Sequence, residues 1–330
     1  MPLVYSKNSA PSIQEVGSSI SKTIASKAQI RPIRIGLVNS MPDAAFEATE
    51  QQFLRLIGSE PVLQIEPILI SPNGTKHDER ITKHIHRYYT PSDLAQESGL
   101  DGIIFTGANI PNGPMHHLPW WQEITGLMDW AEKNVVSSVT SCLATQIIMK
   151  HRYHVERILQ NEKIWWLFPH EITDEDHPLV QNMNSDIWVP HSRWNDISEM
   201  EFLKHGHKVL MKNPVAGVQL AVSHDFKLVM LQGHPEYDTV SLAREYLRDK
   251  RAWNFHEPKN YTTQQLREFP PHESISNNEL RRMCALKNNW VDSASIFFAR
   301  WIALVYRLTN YDVHKQYMSG IDPNDPLKGI

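Results

Sequence analysis

The chain has 330 residues, of which 41% are hydrophobic and 21% charged, enough apolar material for one large α/β domain or two smaller ones. A formal net charge of −4 and the lack of any basic run give no footprint for nucleic-acid binding, and no apolar stretch approaches the ~20 residues of a membrane span. Only two cysteines, Cys142 and Cys284, occur, which argues against a disulfide framework and for a reducing, cytoplasmic setting.

Residues 1–29 are rich in Ser and Lys, lack the apolar core of a secretory signal and read as an N-terminal arm. Residues 30–330 read as a single domain. Ile33 to Asn39 is a compact apolar run, the first central strand, and Ala44 to Leu56 follows at helical spacing through Phe46, Phe53 and Leu54. Val62 to Ile70 alternates as a strand, His77 to Tyr89 is a polar segment, and Thr90-Pro91-Ser92-Asp93 caps a short helix. Leu100 to Thr106 is the next buried strand; an irregular loop, Ala108 to Pro119, leads into a helix through Trp121, Ile124 and Met128. Val135 to Thr140 is β-branched and ends at Cys142, where a run of helix formers begins. Strands alternating with helices at these lengths predict βαβ units and a mostly parallel sheet. Short strands near Ile164–Phe168, Ile187–Pro190, Val209–Met211 and Gly217–Ser223 are expected to pair antiparallel. Lys227 to Gln232 is a further strand ending at Gly233-His234-Pro235-Glu236, and Asp238 caps a helix running to about Arg251. Glu257 to Glu273 reads as a surface excursion, and Trp290 to Leu308 as a C-terminal helix packed over the sheet.

Three residue types that thiol chemistry needs fall at element ends. Cys142 stands at a strand–turn–helix junction, a geometry that lifts a nucleophile above a sheet and aims N–H groups from the helix start at it. His234 could exchange a proton with the thiol, and Glu236, two residues on in an extended segment, could face the same way and orient the ring. The residues alone leave this open, because a buried structural cysteine is the commoner explanation of any single Cys. His84-Ile85-His86, His116-His117 and His205-Gly206-His207 read as surface imidazoles and no metal site is expected. Trp120-Trp121 and Trp165-Trp166 read as packing residues, and Cys284 as a thiol without a role.

The segment Gly233-His234-Pro235-Glu236-Tyr237-Asp238 resembles the His-Pro-Glu signature of class I glutamine-amidotransferase-like folds. Asn39-Ser40-Met41-Pro42, Glu50 to Leu56, Thr106-Gly107-Ala108 and Pro190-His191-Ser192-Arg193 occur with it in the order seen in the homoserine O-acyltransferases of methionine biosynthesis. The resemblance runs from about Ile30 to Asp312. It implies the amidotransferase-like α/β fold and Cys142 as a nucleophile that takes succinyl or acetyl from acyl-CoA. His234 would be base and acid, with Glu236 its orienting partner. It further implies that Lys163 and Ser192 bind substrate, that Arg248 holds an amino-acid carboxylate, and that the protein is a homodimer with acyl-CoA as co-substrate and no cofactor.

The chain departs from the family pattern at Asp43 to Ala45, at Asn109 (a proline in relatives), at Pro111 and at Leu143, where an aromatic is common. Asp43-Ala44-Ala45 stands where relatives carry lysines, and Pro111 stands where glutamate goes with acetyl donors and glycine with succinyl. A missing glutamate removes a charge that would repel a succinyl carboxylate, so the resemblance leans to succinyl. The rival readings are a different hydroxy amino acid such as serine as acceptor, an amidotransferase-type hydrolase, and a non-catalytic relative. The hydrolase is disfavoured because Ser141-Cys142-Leu143-Ala144 lacks glycines flanking the thiol.

Overall fold

The computed structural model describes residues 3–15, 18–60, 62–110, 113–184, 187–238, 241–242, 244–245, 248 and 289–330. Its central strands are β3 (Ile33–Val38), β5 (Gly102–Phe105), β6 (Ser137–Ser141) and β11 (Leu228–Leu231), nearly all of whose residues are buried. Burial on both faces is what their continuous apolar or small-residue sequences require. Among the described residues the strands follow the order β2 (Ser19–Ser21), β1 (Leu3–Tyr5), β4 (Ile65–Ile70), β3, β5, β6, β11, β10 (Gly217–Ser223), β9 (His207–Asn213), β7 (Ile158–Ile172) and β8 (Ile187–Asp196). From β2 to β11 every pairing is parallel. Beyond β11 the strands β10, β9, β7 and β8 pair antiparallel, as their sequences predict.

Helices cover both faces. Alternation along β5 sends Ile104 to one side and Ile103 and Phe105 to the other. On the first side lie α3 (Asp43–Ile57) and the C-terminal helix α9 (Asn289–Leu308), joined by the edge contact of Phe53 and Phe298 at 6.2 Å. Trp301 of α9 also donates its indole N–H to Ser137 Oγ of β6 at 3.0 Å, so α9 packs over the sheet. The other side holds α6 (Trp121–Asn134) and α7 (Leu143–Tyr153), through Ile124, Leu127, Met128, Ile147 and Ile148.

Three local findings refine the sequence reading. Residues expected as an arm contribute β1, which pairs with β4 and with β2 and buries Leu3 and Val4. The polar segment after His77 contains the helix α4 (Glu79–Tyr88). Its apolar stripe is only Ile81 and Ile85, but Asp78 caps it by accepting from Ile81 N at 2.8 Å. Strand β4 starts three residues later than predicted, because the Glu60 carboxylate takes the N–H groups of Val62 and Leu63 and turns the chain there. The predicted excursion Glu257–Glu273 and Cys284 lie outside the described residues.

Candidate active site

The parallel strands end together, so Ser40, Gly107, Cys142 and His234 meet at one edge of the sheet, where sites of open α/β folds gather. Cys142 is the junction of β6 and α7 and takes φ 50°, ψ −106°. A non-glycine residue there costs on the order of 1–3 kcal/mol and persists only where neighbours impose it. Here they do. Cys142 N donates to Leu231 O at 2.8 Å, extending the β6–β11 ladder through the turn. Thr145 Oγ1 lies 2.8 Å from Leu231 O and 3.0 Å from Thr140 O, tying the first turn of α7 to both strands. Leu143 opens α7, so its N–H has no partner within the helix and stands beside the thiol.

His234 is fixed from several directions. Its N–H donates to Pro190 O at 2.7 Å, and the preceding Gly233 N donates to Gln219 Oε1 at 2.8 Å. Gly233 is there because nothing larger fits: a Cβ would overlap Gln219 Oε1 and come within 2.8 Å of His191 Cε1 and Pro190 O. The ring's Nδ1 lies 2.8 Å from Glu236 Oε1, both residues being buried, and Tyr237 stacks on the imidazole at 4.4 Å and 18°. With Nδ1 donating to Glu236, the other nitrogen is left to face the Cys142 thiol. Burial alone would lower the His234 pKa; the charges of Glu236 and Cys142 outweigh it and hold it well above the ordinary value. A protonated imidazole is the state this arrangement favours for His234. Gly107 closes the third side, its Cβ position lying 3.3 Å from Cys142 Cβ and 3.8 Å from His234 Cε1.

Two of the residues expected to bind substrate, Lys163 and Arg248, meet next to this set around Glu245, which sequence reasoning passed over. Glu245 accepts from Tyr237 Oη at 3.0 Å and lies 3.9 Å from both Lys163 Nζ and Arg248 Nη2. Lys163 also stands 5.2 Å over the Trp165 ring, and Ser192 is the cross-strand partner of Trp165 in the β7–β8 ladder. Tyr237 therefore links the imidazole to a rim carrying both signs of charge. The one sequence signal for Glu245 was its i,i+3 spacing to Arg248.

Behind His234 a second polar chain is locked. Arg193 donates to His191 Nδ1, so the His191 proton sits on Nε2, 3.1 Å from His170 Nε2; His170 in turn donates from Nδ1 to Phe168 O at 2.9 Å. Burial pushes His170 down to about 4 and His191 well below its ordinary value, so both stay neutral beside the His234 imidazole.

Other expectations resolve as follows. Asp43, in place of the family's lysines, receives hydrogen bonds from His77 Nδ1 at 2.6 Å and Asp78 N at 2.9 Å, which hold its carboxyl below the usual range. Pro111 lies outside the described residues. Trp165 and Trp166 are buried at right angles, 5.7 Å apart. Not all the histidines expected at the surface are there: His84 bonds the buried Glu50 at 2.8 Å, and His207 is buried between Tyr153 and Phe202. Among the described residues no three His, Cys, Asp or Glu side chains are grouped to hold a metal, and no helix is long and apolar enough to cross a membrane.

Fold and site together define an α/β protein with a Cys–His–Glu set at the carboxyl edge of a mostly parallel sheet. Among solved structures it is similar to a glutamine amidotransferase from Thermotoga maritima (10% identity, TM-score 0.48, covering 83% of this chain and 97% of that one). The match in sequence is far stronger. The family described as homoserine O-succinyltransferase matches residues 9–311. The chain is 38% identical to the homoserine O-succinyltransferase of Thiobacillus denitrificans, with 99% of each chain covered. It is 39% identical to that of Allochromatium vinosum, again over 99% of each. The chain belongs to the homoserine O-succinyltransferase family.

Proposed function

We propose that this protein transfers a succinyl group from succinyl-CoA to the hydroxyl of homoserine through a thioester on Cys142. The observation that carries the reading is the buried Cys142–His234–Glu236 set, held at a strained turn in a chain that matches this family from residue 9 to 311. In the first half-reaction the Cys142 thiolate attacks the thioester carbonyl, and the Leu143 N–H is aimed at the developing oxyanion. Collapse breaks the bond to CoA, whose sulfur takes the proton from His234. In the second half, His234 removes the proton of the acceptor hydroxyl as its oxygen attacks the succinyl carbonyl. Cys142 leaves as thiolate and the imidazolium is restored. Glu236 keeps the ring in the tautomer that both halves need.

The rim suits an amino acid. A carboxylate pairs with the Arg248 guanidinium or the Lys163 ammonium, and an ammonium pairs with Glu245. This complementarity favours an amino-acid acceptor over water, and hence transfer over hydrolysis.

Intact mass spectrometry tests the reading. The protein incubated with succinyl-CoA should gain one succinyl group, Cys142→Ala should gain none, and homoserine should discharge the adduct as O-succinylhomoserine. Folded protein that forms no adduct with succinyl-CoA or acetyl-CoA would sink the proposal; discharge by serine in preference to homoserine would reassign the acceptor.

A further inference from the structure

One charged side chain near the nucleophile is left unexplained by the machinery above. Arg157 lies in the link between α7 and β7 and is half-buried. Its Nη2 donates to Gly113 O at 3.0 Å and its Nη1 lies 3.5 Å from Gln146 Oε1. Both partners are neutral. Four other buried or half-buried guanidinium groups are set against carboxylates, Arg31 on Asp101, Arg34 on Glu66, Arg152 on Glu132 and Arg193 on Asp196, whereas Arg55 donates to the Glu236 carbonyl and Arg300 lies far along the chain in α9. Among the described residues no carboxylate lies within ion-pair distance of Arg157; the adjacent Glu156 is drawn instead to Lys150. A sheltered cation normally has an anionic partner, since desolvating it otherwise is costly.

The position says which anion. Gln146 lies one helical turn past Cys142 on α7, about 6 Å along the axis, and its N–H bonds the Cys142 carbonyl at 3.3 Å. An acyl chain on the sulfur that ended in a carboxylate would carry that group on the order of 5 Å from the sulfur when extended. Burial lowers the Arg157 pKa, and the negative charge of Cys142 is the largest influence opposing it, so the two residues feel each other's field. The amino-acid site around Glu245 is supplied with its own cations, Lys163 and Arg248.

We propose that Arg157 is a specificity-determining residue that receives the distal carboxylate of a dicarboxylic acyl group, and that it selects succinyl over acetyl donors. The proposal rests on the acyl-transfer reading of Cys142. Guanidinium meets a carboxylate with two parallel N–H donors while a third stays on Gly113 O, so the loop need not be released. Acetyl has nothing to offer this group.

The test measures acylation of Cys142 in the full-length protein without acceptor, by rapid quench and intact mass, using succinyl-CoA and acetyl-CoA in turn. Wild-type protein should favour succinyl-CoA. Arg157→Gln should slow succinylation by about 10- to 100-fold, the range for losing a charge-assisted hydrogen bond, and leave acetylation within a few-fold. Arg157→Lys should recover part of the loss. Equal loss with both donors means the side chain serves the CoA moiety or the Gly113 loop and overturns the proposal, as does no loss with either. Wild-type protein acylated by acetyl-CoA alone overturns the role of Arg157 while acyl transfer stands; an adduct from neither donor removes both.

Discussion

The Gly233→Ala substitution probes how tightly the imidazole is built in. The added methyl would overlap Gln219 Oε1 and sit 2.8 Å from both Pro190 O and His191 Cε1. Ordinary contact distances demand a retreat of roughly half an ångström or more from each. None of the three is loose: Gln219 Oε1 accepts from Gly233 itself, Pro190 O accepts from His234 N, and His191 is held by Arg193 and His170. The segment carrying His234 must therefore move. Overpacking of this kind costs about 1–3 kcal/mol, of which the lower chain entropy of alanine returns about 0.4–1 kcal/mol. A net loss near 1–2 kcal/mol is expected from the urea midpoint. The functional loss should be larger, about 100-fold in the Cys142 acylation rate, because small displacements of a catalytic group are costly. Wild-type stability together with wild-type acylation would refute the argument that Gly233 sets the position of His234.

Glu236→Gln should reduce acylation by about 100- to 10,000-fold, because an amide can present N–H to Nδ1 and trap the wrong tautomer. Burial lowers the His234 pKa and Glu236 is the largest influence raising it, so the alkaline limb of the surviving activity should move to lower pH; an unmoved limb would contradict the pairing. His207 is buried, neither ring nitrogen has a partner among the described residues, and burial brings its pKa from 6.5 to about 4. The unfolded chain then binds the extra proton first, so stability is complete above about pH 6.5 and is lost as pH falls towards 4. His207→Phe should raise the urea midpoint, by about 1–3 kcal/mol in stability, and flatten that decline; an unchanged slope between pH 7 and 5 would count against it.

The features legible from sequence were those written in short range. The run Val135 to Thr140 followed by helix formers located the elbow, and the structure adds why it holds: Thr145 and Cys142 both bond Leu231 O. Likewise His234 and Glu236, two residues apart, announced their pairing, whereas Glu245 gained its place only when β7 brought Lys163 beside it. Helix α4 escaped because its stripe is two isoleucines and the rest is polar, leaving the Asp78 cap as the one local cue. Arg157 was silent for a related reason: its meaning lies in Gly113 and Gln146, which are distant along the chain. Departure from the family pattern at Asp43 was visible, but the latch to His77 that occupies it was not.

The most direct test of the central claim, that Cys142 itself carries the acyl group, is isotope exchange in the absence of acceptor. Labelled CoA mixed with unlabelled succinyl-CoA and the protein should pass its label into succinyl-CoA, and Cys142→Ser or Cys142→Ala should abolish the exchange. Transfer to homoserine at a normal rate with no such exchange would mean that the acyl group passes directly from donor to acceptor, and the account of Cys142 would be wrong.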